Sequence, residues 1–307
     1  MIIRPAALGD TLMLSPAVAQ LRPYTEITLV GRSPGLEFFK PYVHSCIDYE
    51  GPGWHVLFLA EFDPGSAPAI PPVQVAVTFL KDPEGRVEAN LKTYLPKTSV
   101  HAFPPFPPEG EKQHIASYLS QCLQRSGLPV DAERAIEDAR KRPLFMNRVQ
   151  KIREGKIVFH PGSGGHQKNH PPDFWIELIK QIQNHPHFKK GNSLLLLGPS
   201  EEPFYVFYKE KLAQVGIEIL ISPDRSSLIS LLNGATLYMG QDSGITHLAA
   251  MHGVPTIALF KSSSIHQWKP LGPAVKVIEG HRSGRHLIWK ILARAEEFMG
   301  ESNLAHE

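Results

Sequence analysis

From Lys156 onward the chain alternates strictly between short β-branched or aliphatic runs and helical patterns, and this rhythm constrains its fold more than any other feature. "KIVFH" leads to "DFWIELIKQIQ", "SLLLLG" to "EEPFYVFYKEKLAQ", "IEILIS" to "SLISLLNG" and "TLYMG" to "ITHLAAMHG", before two further runs, "PTIALF" and "AVKVI". Parallel strands need long crossover connections, and a helix supplies one while covering a face of the sheet. The pattern therefore predicts a doubly wound α/β domain with a parallel sheet. A last periodic segment, "GRHLIWKILARAEEFMG", follows the sheet and can pack on either half of the chain.

The first half carries the same rhythm less cleanly. "MIIR", "TLMLSPAVAQLR", "EITLVGR" and "GLEFFKPY" read as β-α-β-α, and the pattern continues through "HVLFLAEF" and "VQVAVTFL". Helices are expected at "EGRVEANLKTYL" and "HIASYLSQCLQRSGL", whereas "DPGSAPAIPP" and "AFPPFPPEGEK" are loops in which neither helix nor central strand persists. The charged stretch "EDARKRPLFMNRVQKIREG" carries no clean strand and separates the halves. At 307 residues the chain is about twice the usual domain size, so domains 1–150 and 151–307 are expected.

Charge and cysteine usage exclude several classes. The 32 Lys and Arg against 30 Asp and Glu are too evenly balanced for a nucleic-acid protein, but they allow a small anionic ligand. Cys46 and Cys122 lie far apart without metal-ligand spacing, so neither a disulfide framework nor a zinc site is expected, and a reducing cytoplasmic setting fits. The 15 histidines include no H-E-x-x-H pattern, and no metal is expected. No run of 18 apolar residues occurs, and the N-terminus lacks a secretory apolar region, so a soluble protein is expected.

Ligands of open parallel sheets bind beyond the carboxyl ends of the strands, where helix N-termini offer free N–H groups. Three turns occupy such places. In "HPGSGGHQKNHPPDFW", the main chain at Gly162, Ser163, Gly164 and Gly165 can form an anion-binding concavity, and Lys168 can reach a phosphate oxygen. Gln167 and Asn169 flank that lysine, so the turn is not a Walker A loop; a tight strand-to-helix connection with Lys168 in solvent is the other reading. In "GQDSGITHLAAMHG", Asp242 or Ser243 can cap a helix that presents the N–H groups of Ser243, Gly244 and Ile245 to a phosphate, with His247 one turn on. Asp242 can be a plain cap or a ligand group, and His247 a packed residue or a second donor. In "AALGD", Asp10 is either a helix cap or a general base at the ligand-binding edge.

With these residues in view the chain resembles the heptosyltransferases of bacterial lipopolysaccharide synthesis, glycosyltransferase family nine. The blocks that carry the resemblance are "RPAALGDTLMLSP", "HPGSGGHQKNHPPDFW", "LLLLGPSEE" and "GQDSGITHLAAMHGVPTIALF", in the family's order and at about its spacing. The resemblance implies the GT-B architecture, two Rossmann-like domains facing a central cleft, with 1–150 binding the acceptor and 151–307 the nucleotide sugar. It implies an inverting transfer of a sugar, commonly heptose from ADP-heptose, to a hydroxyl of the lipopolysaccharide core or a related glycan, with no metal or other cofactor. It assigns Asp10 as base and Lys168 as a catalytic cation. Ser163, Gly164, Lys168, Ser243, Gly244 and His247 would hold the donor diphosphate. Glu201, rather than Glu202, and Asp242 would contact nucleoside or sugar. A monomer in peripheral contact with the inner membrane is expected.

Two positions depart from the family pattern. His170 stands where tryptophan usually follows the Lys-Asn pair, and "KSSS" puts Lys261 in place of a glycine after "TIALF". The family's loop at "KSSS" lies near the donor, so the bulkier, charged Lys261 bears on which sugar is accepted. A GT-B-like nucleotide-sugar epimerase and a non-catalytic nucleotide-binding protein are the competing readings, and the L-G-D block argues against the epimerase.

Overall fold

The computed structural model describes residues 1–145, 155–188 and 192–304. The chain forms two compact units, Met1–Asp138 and Ala139–Glu307. The boundary expected near residue 150 falls within 146–154, outside the described residues.

The first unit is built on five parallel strands: β1 (Ile2–Ile3), β2 (Thr28–Gly31), β3 (Ser45–Asp48), β4 (Val75–Thr78) and β5 (Ser99–Ala102), in the order β3-β2-β1-β4-β5. The segment "TLMLSPAVAQLR" is two helices rather than one, Leu8–Leu12 and Ser15–Leu21. Pro16 is the reason: it lacks an N–H and its ring would meet the carbonyl four residues back, so it is tolerated only in the first turn of a new helix. "HVLFLAEF" contributes a 3-10 turn, Trp54–Phe58, that buries Trp54, Val56 and Leu57. The beginning of the charged stretch at residues 137–141 is helical, belonging to Ala132–Lys141, which buries Ala132, Ala135, Ile136 and Ala139 along one face.

Six parallel strands form the second unit: β6 (Lys156–His160), β7 (Ser193–Leu197), β8 (Glu218–Ile221), β9 (Ala235–Gln241), β10 (Thr256–Phe260) and β11 (Val275–Glu279), ordered β11-β10-β9-β6-β7-β8. β7 is buried along its whole length, as a central strand covered on both faces must be. Trp175, Leu178, Ile179 and Ile182 of the helix Pro172–Asn184 pack against Phe159, Leu195, Leu197 and Met239 in one core. The final helix, Arg285–Leu304, joins that core through Leu287, Ile288, Ile291, Ala295 and Phe298, a spacing of threes and fours that makes one apolar stripe. It therefore packs with the second sheet.

Both sheets reverse their strand order next to their first strand, between β1 and β4 in one unit and between β6 and β9 in the other. Such a switch point opens a crevice at the carboxyl ends of the strands. "AALGD" follows β1, the glycine-rich turn follows β6 and "DSG" follows β9. Among the described residues no helix is long and apolar enough to cross a membrane.

Candidate active site

In the second unit the two glycine-containing turns leave adjacent strands at the same end of the sheet. Gln241, the fully buried last residue of β9, ties them together, its Nε2 donating to the Pro161 carbonyl at 3.2 Å. Ser163 shapes the first turn from inside: its hydroxyl donates to Asn169 Oδ1 at 2.6 Å and the Gly165 N–H donates back to it at 3.4 Å. The glycines serve different ends. A Cβ on Gly162 would fall 1.8 Å from the Glu201 carboxyl carbon, so this glycine makes room for a buried carboxylate rather than for a ligand. A Cβ on Gly164 would meet nothing within 4 Å among the described residues, which leaves that stretch of main chain open to a ligand.

Lys168, Asp242 and His247 form a connected cluster across the switch point. Lys168 Nζ donates to Asp242 Oδ2 at 3.0 Å, and His247 Nε2 lies 3.7 Å from Asp242 Oδ1. The carboxylate is 5% exposed and the lysine 42%, so the acid is buried and the cation reaches toward solvent. Burial alone would raise the Asp242 carboxyl, yet His247, the neighbouring Ser263 hydroxyl and Lys168 together hold it at about 2. Ser243, not Asp242, caps the helix Gly244–Met251, its hydroxyl accepting from the Thr246 N–H at 3.3 Å. Asp242 is thus released from a capping role. Buried His247 keeps Nδ1 without a hydrogen-bond partner among the described residues.

Glu201 stands behind the glycine-rich turn, after β7. Its Oε2 accepts from the Gly198 N–H at 3.1 Å. The two departures from the family pattern meet at the other end of the turn. Lys261 Nζ donates to the Asn169 carbonyl at 2.9 Å, and Ser262 Oγ reaches the Gln167 carbonyl at 3.5 Å, so the loop after β10 clasps the turn after β6. His170 stacks on Phe174 with ring centroids 4.6 Å apart and shares a hydrogen bond with Ser283 Oγ at 2.7 Å. Burial, with help from the Lys261 charge, lowers its pKa to about 4, so it is a neutral packed ring.

In the first unit Asp10 is the third residue of the helix Leu8–Leu12, whose cap is Ala7, with no side-chain capping bond. The capping explanation for this aspartate therefore fails. Asp10 lines a cavity of about 260 Å³ with Arg4, Phe79, Lys81 and Phe106. Arg4 was not expected at a site, although a charge ending the apolar run "MII" is a visible signal for one. Gln241, a polar residue ending an apolar strand, is the parallel case in the second unit. Among the described residues no group of three or more His, Cys, Asp or Glu could hold a metal ion.

Several solved structures share this fold. E. coli heptosyltransferase WaaC with ADP is 15% identical, with a TM-score of 0.67 over 97% of this chain and 98% of that one. E. coli ADP-heptose lps heptosyltransferase II is 16% identical, with a TM-score of 0.65 over 98% of each chain. WaaC with ADP-2-deoxy-2-fluoro heptose gives 16% and 0.65 over 96% of this chain and 98% of that one. A search among curated proteins returns no significant match. The architecture is that of the GT-B glycosyltransferases, two Rossmann-like parallel-sheet units in one chain. The family model of glycosyltransferase family 9 (heptosyltransferase) matches residues 105–287, well over half of the sequence, and the chain belongs to that family. It is a glycosyltransferase.

Proposed function

We propose that this enzyme transfers heptose from ADP-heptose to a hydroxyl of a lipopolysaccharide core, with inversion at the anomeric carbon and without a metal. The observation that carries the reading is the Lys168–Asp242–His247 cluster beside an open glycine turn, at the switch point where a Rossmann-like sheet binds nucleotides. WaaC, which shares the fold, has been solved with ADP and with a fluorinated ADP-heptose. In this reading Gly164, Ser243 and Gly244 offer main-chain N–H groups to the diphosphate, and Ser163 holds the turn in shape for it. Glu201 and Asp242 contact nucleoside and sugar.

Asp10 takes the proton of the acceptor hydroxyl as its oxygen attacks the anomeric carbon, while the bond from that carbon to the diphosphate oxygen breaks. Attack from the face opposite the leaving group inverts the configuration. Negative charge grows on the diphosphate, and Lys168 with the fixed N–H groups stabilises it more in the transition state than in the bound donor. The enzyme works as a cytoplasmic monomer that meets its lipid-linked acceptor at the membrane surface.

The test is incubation with ADP-heptose and a heptose-free lipopolysaccharide core, read by mass spectrometry and by NMR of the new anomeric centre. One added heptose with inverted configuration is expected. ADP should also raise the melting temperature more than UDP, GDP or CDP does. A larger shift with another nucleotide, together with no transfer from ADP-heptose, would overturn the donor assignment.

A further inference from the structure

Arg4 is a full charge in a place where charge is costly. The residue is 1% exposed. Its Nε donates to the Asp10 main-chain carbonyl at 3.1 Å and its Nη1 to the Pro105 carbonyl at 2.8 Å. The guanidinium carbon lies 5.6 Å from the Phe79 ring centroid and 5.5 Å from that of Phe106. Nη2 is buried without a hydrogen-bond partner among the described residues. Two carbonyls and two ring faces repay only part of the cost of removing a guanidinium from water. The two carbonyl bonds use the fork of the guanidinium but not its full charge, so the charge itself needs a reason.

The surroundings supply one. Burial pulls the Arg4 pKa down to about 10, and Asp10 is foremost among the groups that oppose this. Tyr118 and Cys122, on the helix Ile115–Arg125, also face Arg4, but burial raises both and they stay neutral near pH 7. Arg125 acts on that pair. Lys81 lines the same cavity and makes no ion pair among the described residues. The helix Gly35–Phe39, which packs on the Asp10 helix, carries Glu37, already engaged by Lys40 at 2.7 Å.

We propose that Arg4 is the positioning residue of Asp10: it pins the main chain of the L-G-D turn and keeps the Asp10 carboxylate ionised beside the cavity. The proposal rests on the reading of Asp10 as the base. Pinning needs the guanidinium fork, since one ammonium cannot reach both carbonyls, whereas ionisation needs only a cation. The two functions therefore separate by substitution.

The experiment compares wild type, Arg4→Lys, Arg4→Gln and Asp10→Asn. The Asp10 carboxyl is titrated by 13C NMR, its signal assigned by its loss in Asp10→Asn. The pH profile of kcat/KM is measured with ADP-heptose and a heptose-free lipopolysaccharide core, and retention of the ADP-induced melting shift certifies folding. In Arg4→Gln the Asp10 midpoint should rise by about one pH unit or more, and the acidic limb of the profile should move up with it. Arg4→Lys should hold the midpoint but lower kcat about tenfold with donor KM unchanged. An unmoved Asp10 midpoint in folded Arg4→Gln overturns the proposal, and so does wild-type kcat in Arg4→Lys. Should Arg4→Gln fail to fold, Arg4→Lys decides alone on kcat and midpoint together. Wild-type turnover in Asp10→Asn would instead sink the base assignment, while the NMR titration still reports whether Arg4 governs that carboxyl.

Discussion

Lys168 is partly exposed and holds its positive charge against the buried carboxylate of Asp242, and the pairing sets what each residue can do. The acid fixes the direction of a long, flexible side chain, so the cation is oriented before any diphosphate arrives. Lys168→Ala should lower kcat by on the order of a hundredfold, the usual cost of deleting one electrostatic donor to a leaving group. Steady-state kinetics at saturating donor measures it, and a loss confined to KM would remove Lys168 from the chemical step. Two buried histidines give the protein a pH signature. Burial lowers both His160 and His170 to about 4, whereas the unfolded chain protonates near 6.5. The unfolded state then binds more protons, so stability is complete above pH 6.5 and falls as the pH drops toward 4. Melting temperatures across that range should show the decline, and His170→Trp should make it shallower while His160 keeps its share.

The helix-sheet connections explain why some turns tolerate change and others do not. Gly162 is backed by the Glu201 carboxylate, which is held by the Gly198 N–H, so neither can retreat cheaply. Gly162→Ala should cost about 1–3 kcal/mol of stability, as overpacking does. Gly164→Ala should keep the wild-type melting temperature, because its Cβ points into open space, while weakening the ADP-induced shift. Thermal unfolding with and without ADP separates the two, and equal destabilisation would show that the turn is uniformly tight.

Much of this organisation was legible in the sequence because parallel strands buried on both faces leave unbroken aliphatic runs. "SLLLL" and "TIALF" could hardly be anything else. β3, "SCID", and β5, "SVHA", were not legible: each has only four residues with mixed polarity, and tertiary pairing rather than local pattern makes them strands. The three polar turns announced themselves through glycine and serine. What the glycines were for did not, since only the fold reveals that Gly162 yields to Glu201 and that Ser243 rather than Asp242 caps its helix. Arg4 and Gln241 show in the sequence only as a polar residue closing an apolar run, a signal that carries no spacing and so names neither partner nor role.

Across the whole molecule, the acid of the L-G-D turn belongs to Met1–Asp138 and the Lys168 cluster to Ala139–Glu307. Asp10→Asn should therefore abolish transfer while leaving the ADP-induced melting shift within error of wild type. Calorimetric titration with ADP checks this, and lost ADP affinity would assign Asp10 to the donor rather than the acceptor.

The clasp of Lys261 and Ser262 on the carbonyls of Asn169 and Gln167 carries a lesson for anyone retooling such an enzyme. A relative's glycine-bearing loop grafted after β10 alone would arrive without its latch and leave an amide oxygen orphaned on the opposite segment. Residues 161–170 and 261–264 behave as one cassette, to be transplanted together.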